Sequence, residues 1–188
     1  IQNKLKKIKT HIDGLFVIKN PVFKDERGSF IESWNKTKFD HEELSDNFNQ
    51  DNISFSKKNV IRGLHFQNQP YGQTKFVRVL QGKVIDIAVD IRKKSKTFGE
   101  YFSIELSEKN NEALWIPSGF AHGFLTLSKN NIFIYKCSGA YNPSEEYTIK
   151  WDDPDIGVKW NIKKPIVSNK DQQGMSLQEY KDSKLINA

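Results

Sequence analysis

Four stretches of this 188-residue chain set titratable side chains among apolar ones. The first, Arg62-Gly63-Leu64-His65-Phe66-Gln67, holds an arginine and a histidine in one apolar run, with a glycine between them that permits a bulge or the close approach of another group. His65 is there either a core imidazole satisfied by a carbonyl or a base that titrates near neutrality. Arg62 weighs on that choice, because a cation beside a histidine in an apolar strand needs an anion, and a bound phosphate is a natural one. In Lys75-Phe76-Val77-Arg78-Val79-Leu80, strict alternation places Lys75 on the face of Val77 and Val79. Its ammonium either snorkels to water from the strand end or points inward, as a cation for a developing negative charge. Ile132-Phe133-Ile134-Tyr135-Lys136-Cys137 offers a phenol, Tyr135, whose ordinary use is packing and one hydrogen bond. Cys137 shares its face and reads as buried filler rather than a nucleophile. Lastly, Pro117-Ser118-Gly119 forms a turn running into a strand that carries His122.

Short strands carry these residues. The clearest is Lys83 to Ile91, where Ile85, Ile87, Val89 and Ile91 alternate with Val84, Asp86, Ala88 and Asp90. The isoleucine and valine face reads as core. The other face bears two carboxylates, and alternation makes Asp86 a candidate partner for Lys75 or His122. Phe16 to Lys19, Ser29 to Trp34, Ile53 to Ser56, Val60 to Phe66, Lys75 to Leu80 and Tyr101 to Leu106 read as strands too. So do Leu114 to Ile116, Gly123 to Leu127, Ile132 to Cys137 and Tyr147 to Trp151, with turns such as Gln81-Gly82 and Lys129-Asn130-Asn131 between strands. Helix is sparse: Thr37 to Asp46 is one short candidate and Ser176 to Lys184 another, opened by a Ser176-x-x-Glu179 capping box. Many short strands at this spacing predict an all-β sandwich or barrel with a few short helices, in one domain without repeats or linkers.

Twenty-nine basic residues against 23 acidic ones leave a net charge of +6, yet only Arg27, Arg62, Arg78 and Arg92 are arginine. The lysines run from end to end and interleave with acids, which describes a solvated surface rather than a nucleic-acid face. No run approaches the roughly 20 apolar residues that cross a bilayer, and Gln2 to Lys9 is too lysine-rich for a signal peptide. A cytoplasmic protein without a membrane partner is expected. The single cysteine excludes an internal disulfide framework and any multi-cysteine zinc or iron–sulfur site.

The Pro117-x-Gly119-x-x-His122 spacing resembles the second half of the cupin signature. Its first half is altered: His65-x-Gln67 stands where metal-binding cupins have His-x-His and a following glutamate, so a first-row metal would lack its usual ligands and none is expected. Asp25-Glu26-Arg27-Gly28-x-Phe30, Gln50-Asp51-Asn52, Val60 through Gln67, Val89-Asp90-Ile91-Arg92, Trp115 through Phe124 and Tyr135-Lys136 follow the order found in dTDP-4-dehydrorhamnose 3,5-epimerases. The chain resembles that family from about Phe16 to Asp171. The resemblance implies a metal-free cupin, a single jelly-roll β-barrel over residues 1–188 that needs no cofactor and ends in a helical tail from about residue 172 to 188. It also implies a homodimer with the N-terminal strands exchanged, so that each site borrows residues from its partner.

The reaction implied inverts carbons 3 and 5 on either side of the ketone of a dTDP-linked 4-keto-6-deoxyhexose, for rhamnose and surface-polysaccharide synthesis. Each inversion removes a proton α to the carbonyl, passes through an enolate and returns a proton to the opposite face. In the family pattern His65 matches the base, Asp171 the carboxylate that orients it, Lys75 the cation on the enolate oxygen and Tyr135 the acid on the other face. Arg27 and Arg62 match residues that grip the diphosphate, and Glu32, Gln50 and Asn52 lie where the family contacts the nucleotide or positions the binding strands. His122 matches a residue near the sugar. Phe23 and Tyr141 are candidates for stacking on the base or for core and rim packing. Two positions depart from the pattern: Ile53 stands where many relatives carry histidine, and Gln73-Thr74 lengthens the approach to Lys75. A single-carbon epimerase, a 3,4-ketoisomerase and a non-catalytic sugar-nucleotide-binding cupin are the competing functions.

Overall fold

The computed structural model describes residues 4–186, so Gln2 and Asn3 of the lysine-rich segment and the last two residues of the expected tail lie outside it. The first half of the chain forms β1 (Lys6–Lys9), β2 (Phe16–Lys19), β3 (Val22–Asp25), β4 (Gly28–Ile31), α1 (Lys36–His41), β5 (Phe48–Lys57), β6 (Val60–Gln67), β7 (Lys75–Gln81) and β8 (Lys83–Asp90). The second half adds β9 (Tyr101–Ser107), β10 (Glu112–Ile116), β11 (Phe120–Thr126), β12 (Asn130–Ser138), β13 (Glu146–Thr148), β14 (Ile166–Val167), α2 (Asn169–Gln172) and α3 (Leu177–Asp182). Two sheets hold most of these strands, one in the order β1-β2-β10-β7-β12-β5 and the other β13-β6-β11-β8-β9 with β14 on the edge of β6. Consecutive β7 and β8 belong to different sheets, and the corner between them turns at Gly82, whose φ of +84° and lack of a side chain are both needed. A Cβ there would stand 2.4 Å from the Asn130 carbonyl oxygen. The sheets close face to face into the expected cupin jelly roll.

Alternation explains what lies between the sheets. Val17, Val77, Val79, Leu114, Ile116 and Phe133 come inward from one sheet and Val84, Ala88, Leu106, Phe120 and Phe124 from the other, forming one buried cluster. Each of these valine, leucine, isoleucine and phenylalanine side chains, fully buried, contributes roughly 1.5–3 kcal/mol. Val84 and Ala88 share the face of Asp86, so the reading of that face as non-core needs correction: it lines the barrel interior. The opposite face of β8, with Ile87, Val89 and Ile91, is buried as well, under Ile149, Ile156, Trp160, Leu177 and Tyr180 of the C-terminal segment. All seven residues of β11 are buried for the same reason. Strict period-2 reasoning assumes one wet face, and β11 at the centre of this sheet has none.

Of the expected helices, the first ends at His41, five residues short of Asp46, because Glu43 adopts a φ of +58° just after it. The second is α3, with the Ser176–Glu179 capping box formed in both directions. In place of a continuous helical tail from 172, a four-residue helix ends at Gln172 and α3 follows after a turn. The β3–β4 hairpin pairs with neither large sheet.

Candidate active site

His65 lies on β6 opposite His122 of β11, and Arg62 lies opposite Phe124. Three residues on β6 advance while two on β11 do, so the ladder bulges at Gly63, as the glycine in that run permits. Gly63 has a φ of +121°, and its bare Cα lets Gly123 and the His122 carbonyl pack against it. The bulge turns the Gly63 N–H outward from the ladder to donate to Asp171 Oδ2 at 3.0 Å. Asp171 Oδ1 lies 2.6 Å from His65 Nε2. The carboxylate arrives there because β14 runs parallel to β6 and ends in Ser168, which caps α2 by accepting the Asp171 N–H at 3.2 Å. Burial alone would raise the Asp171 pKa, but the His65 hydrogen bond and charge and the Gly63 N–H together hold it below the ordinary carboxylate value. An ionised partner on Nε2 keeps the proton on that nitrogen and leaves the Nδ1 lone pair free, which is the tautomer a base requires.

Lys75 opens β7 opposite Ile116 on one side and Cys137 on the other, and so projects inward with Val77. Burial pushes its pKa down, while the Cys137, Glu146 and Asp86 side chains nearby act the other way. Asp86 is wholly buried, with His122 Nε2 at 2.7 and 2.9 Å from its two oxygens; burial drives its pKa up against the pull of His122 and Lys75. The pairing suggested for Asp86 is thus made with His122 directly and with Lys75 through charge. Tyr135 faces Val77 and Asn52 from the middle of β12, and burial pushes its phenol up to about 12. Cys137 is buried beside it, with the Asn52 amide donating to Sγ at 3.7 Å.

Glu146, at the head of β13, joins these groups. It pairs with Lys170, accepts from the Tyr141 hydroxyl at 3.3 Å, and is felt electrostatically by His65, Lys75 and Tyr135. Burial raises its pKa, but Lys170 above all brings it below the usual carboxylate range. Sequence reasoning missed both Glu146 and Lys170: a carboxylate opening a three-residue edge strand has the look of a solvated loop, and Lys170 is one lysine among many. The only signal was adjacency of Lys170 to Asp171.

The remaining expected residues divide. Gln50 and Asn52 share the inward face with Cys137 and Tyr135, and Arg62 stands at the rim with its Nε donating to Ser56 Oγ at 3.1 Å. Tyr141 is half exposed above Glu146. Phe23, Arg27 and Glu32 are not brought to these groups by this chain. Phe23 and Arg27 are on the β3–β4 hairpin, where Arg27 pairs with Asp25, and Glu32 pairs with Lys38 at 2.8 Å. Gln67, in the altered ligand position, is a clamp: its amide donates to the Tyr71 and Ala140 carbonyls and accepts the Asn142 N–H, tying two loops together. Ile53 lies on the outer face of β5, away from the barrel interior, and Thr74 extends the β7–β12 ladder through Ser138. Among the described residues no three histidine, cysteine or acidic side chains converge as a ligand set for a metal.

A histidine held by a carboxylate, a buried lysine and a protonated phenol around one interior suit proton transfer beside a carbonyl. The sequence family described as dTDP-4-dehydrorhamnose 3,5-epimerase matches residues 9–179 of the chain. A protein of that description from Salmonella typhimurium is 50% identical over 168 residues, covering 87% of this chain and 91% of its own. One from Methanothermobacter thermautotrophicus is 46% identical over 175 residues, covering 92% and 94%. The solved structure of the dTDP-6-deoxy-D-glucose-3,5-epimerase of Legionella pneumophila, in complex with dTDP-4-keto-L-rhamnose, is 43% identical and superposes with a TM-score of 0.88 over 93% of each chain. With its barrel and matches that cover most of its length, this chain belongs to the dTDP-4-dehydrorhamnose 3,5-epimerase family.

Proposed function

We propose that the protein converts dTDP-4-dehydro-6-deoxy-D-glucose to dTDP-4-dehydro-L-rhamnose by inverting carbons 3 and 5, in the cytoplasm, as a step of rhamnose biosynthesis. The observation that carries this reading is the His65–Asp171 pair within electrostatic reach, through Glu146, of Lys75 and Tyr135. His65 Nδ1 removes the proton α to the ketone, and the resulting imidazolium is stabilised by Asp171. Electron density moves onto the ketone oxygen, where the Lys75 ammonium in a water-poor barrel stabilises it. Tyr135, protonated at any working pH, returns a proton to the opposite face. Repetition at the other neighbouring carbon completes the reaction.

Arg62 at the rim is the cation this chain offers the diphosphate. The β3–β4 hairpin supports a homodimer in which Phe23, Arg27 and Glu32 complete the partner's site, since it is free of both sheets and presents Phe23 and Phe30 to solvent. Heavy-water turnover of the dTDP-linked 4-keto sugar tests the whole reading. Label at both carbons flanking the ketone is expected, with none after His65→Ala. Label at one carbon would assign a single-carbon epimerase, a shifted carbonyl a ketoisomerase, and undiminished affinity without any turnover a binding protein.

A further inference from the structure

Gln50 and Asn52 face Cys137 and Tyr135 directly across the β5–β12 ladder. They are also bonded to each other, with Gln50 Nε2 donating to Asn52 Oδ1 at 3.1 Å. That bond fixes the Asn52 amide. Its oxygen is engaged by a donor, so its nitrogen turns away from Gln50, and Nδ2 donates to Cys137 Sγ at 3.7 Å. The same amide is the hydrogen-bonding group that works against the burial-driven rise of the Tyr135 pKa. An amide N–H at a phenol oxygen occupies a lone pair and leaves the phenol's own O–H free to donate. An amide carbonyl in that place would take the proton for itself.

We infer that Gln50 and Asn52 are positioning residues for the protonation half of the inversion: Gln50 locks the Asn52 amide with its nitrogen toward Tyr135, so that the phenol is presented as a proton donor. This rests on the reading of Tyr135 as the acid. As the phenolic O–H breaks, the enolate's electron pair forms the new C–H bond and the carbonyl is restored. The phenolate left behind keeps the Asn52 N–H as its stabilising contact until water reprotonates it.

The test is heavy-water turnover of dTDP-4-dehydro-6-deoxy-D-glucose, read as the ratio of label in recovered, uninverted substrate to inverted product. Proton return from His65 labels the substrate without inverting it, whereas delivery by Tyr135 yields product. Asn52→Leu removes the donor. Gln50→Glu replaces a donor by an acceptor, so that the Asn52 nitrogen swings toward it and the amide oxygen faces the phenol, with Asn52 and Tyr135 both retained. Each variant is expected to raise the ratio about tenfold, the size of effect that follows from losing one hydrogen bond to a charged group, whatever it does to dTDP affinity. Weaker dTDP binding with an unchanged ratio would overturn the inference and leave both residues as nucleotide contacts. Tyr135→Phe separates the two levels: an unchanged ratio there overturns the acid itself, whereas a raised ratio there with none in the other two variants overturns the positioning role alone.

Discussion

Asp171→Asn preserves the size of the side chain and removes its charge, and the geometry sets the cost. Asp171 now accepts from two donors, His65 Nε2 at 2.6 Å and the Gly63 N–H at 3.0 Å, while only 3% exposed. Asparagine has one acceptor. If its oxygen serves Gly63, its NH2 group faces His65 and forces the proton onto Nδ1, the atom that must be empty. If the oxygen serves His65, the Gly63 N–H is left buried and opposed to an amide N–H, at about 1–3 kcal/mol. The charge-assisted bond to the imidazolium adds a loss of about 3 kcal/mol. Together these come to roughly 4–6 kcal/mol, a fall of about 10³- to 10⁴-fold in proton exchange. Initial rates of label incorporation measure it, and dTDP binding, which does not involve Asp171, should be unaffected. Exchange within tenfold of the wild type would refute the claim that the carboxylate sets the tautomer of His65.

Two further outcomes follow from the same groups. Burial pushes the Lys75 pKa down from 10.5, so its charge is lost as pH rises through a value below that of an exposed lysine, whereas Tyr135 stays protonated to about 12. The charged form is the useful one, and activity therefore falls on the alkaline side; Lys75→Arg, with a charge that does not titrate, should move that limit upward at a lower plateau rate, and an unmoved limit in a pH–rate profile would count against Lys75. Gly63→Ala places a Cβ 2.6 Å from both Gly123 Cα and the His122 carbonyl at a φ of +121°. Backbone on both sides leaves no room to yield, so urea unfolding should show a loss of about 3 kcal/mol or more, and wild-type stability would disprove the close approach.

Strands with one apolar face and long runs were legible: β2 matches its expected bounds residue for residue, and β7 and β8 come within one residue at their ends. β1 and β3 were not, because Lys6–Lys9 and Val22–Asp25 are largely exposed and carry no apolar face to generate a period. Alternation put Lys75 on the face of Val77 and Val79 but left open whether its ammonium snorkels or turns inward, and the roles of Lys75 and Tyr135 followed from family motifs. The interior of the barrel was misjudged at Asp86 because the C-terminal segment buries what would otherwise be the wet side of β8. Glu146 and Lys170 escaped notice since their partnership joins a short edge strand to a one-turn helix 24 residues on, a contact without any local pattern.

His65 and the carboxylate of Asp171 are separated by 106 residues of chain. At a synthesis rate of about 5–20 residues per second, roughly 5–20 seconds pass between the emergence of one and the other from the ribosome. During that interval the imidazole has no carboxylate to select its tautomer, even after the strands of both sheets have emerged. Under the proposed reaction, turnover therefore reports on docking of the segment that carries Asp171 and not on closure of the barrel alone.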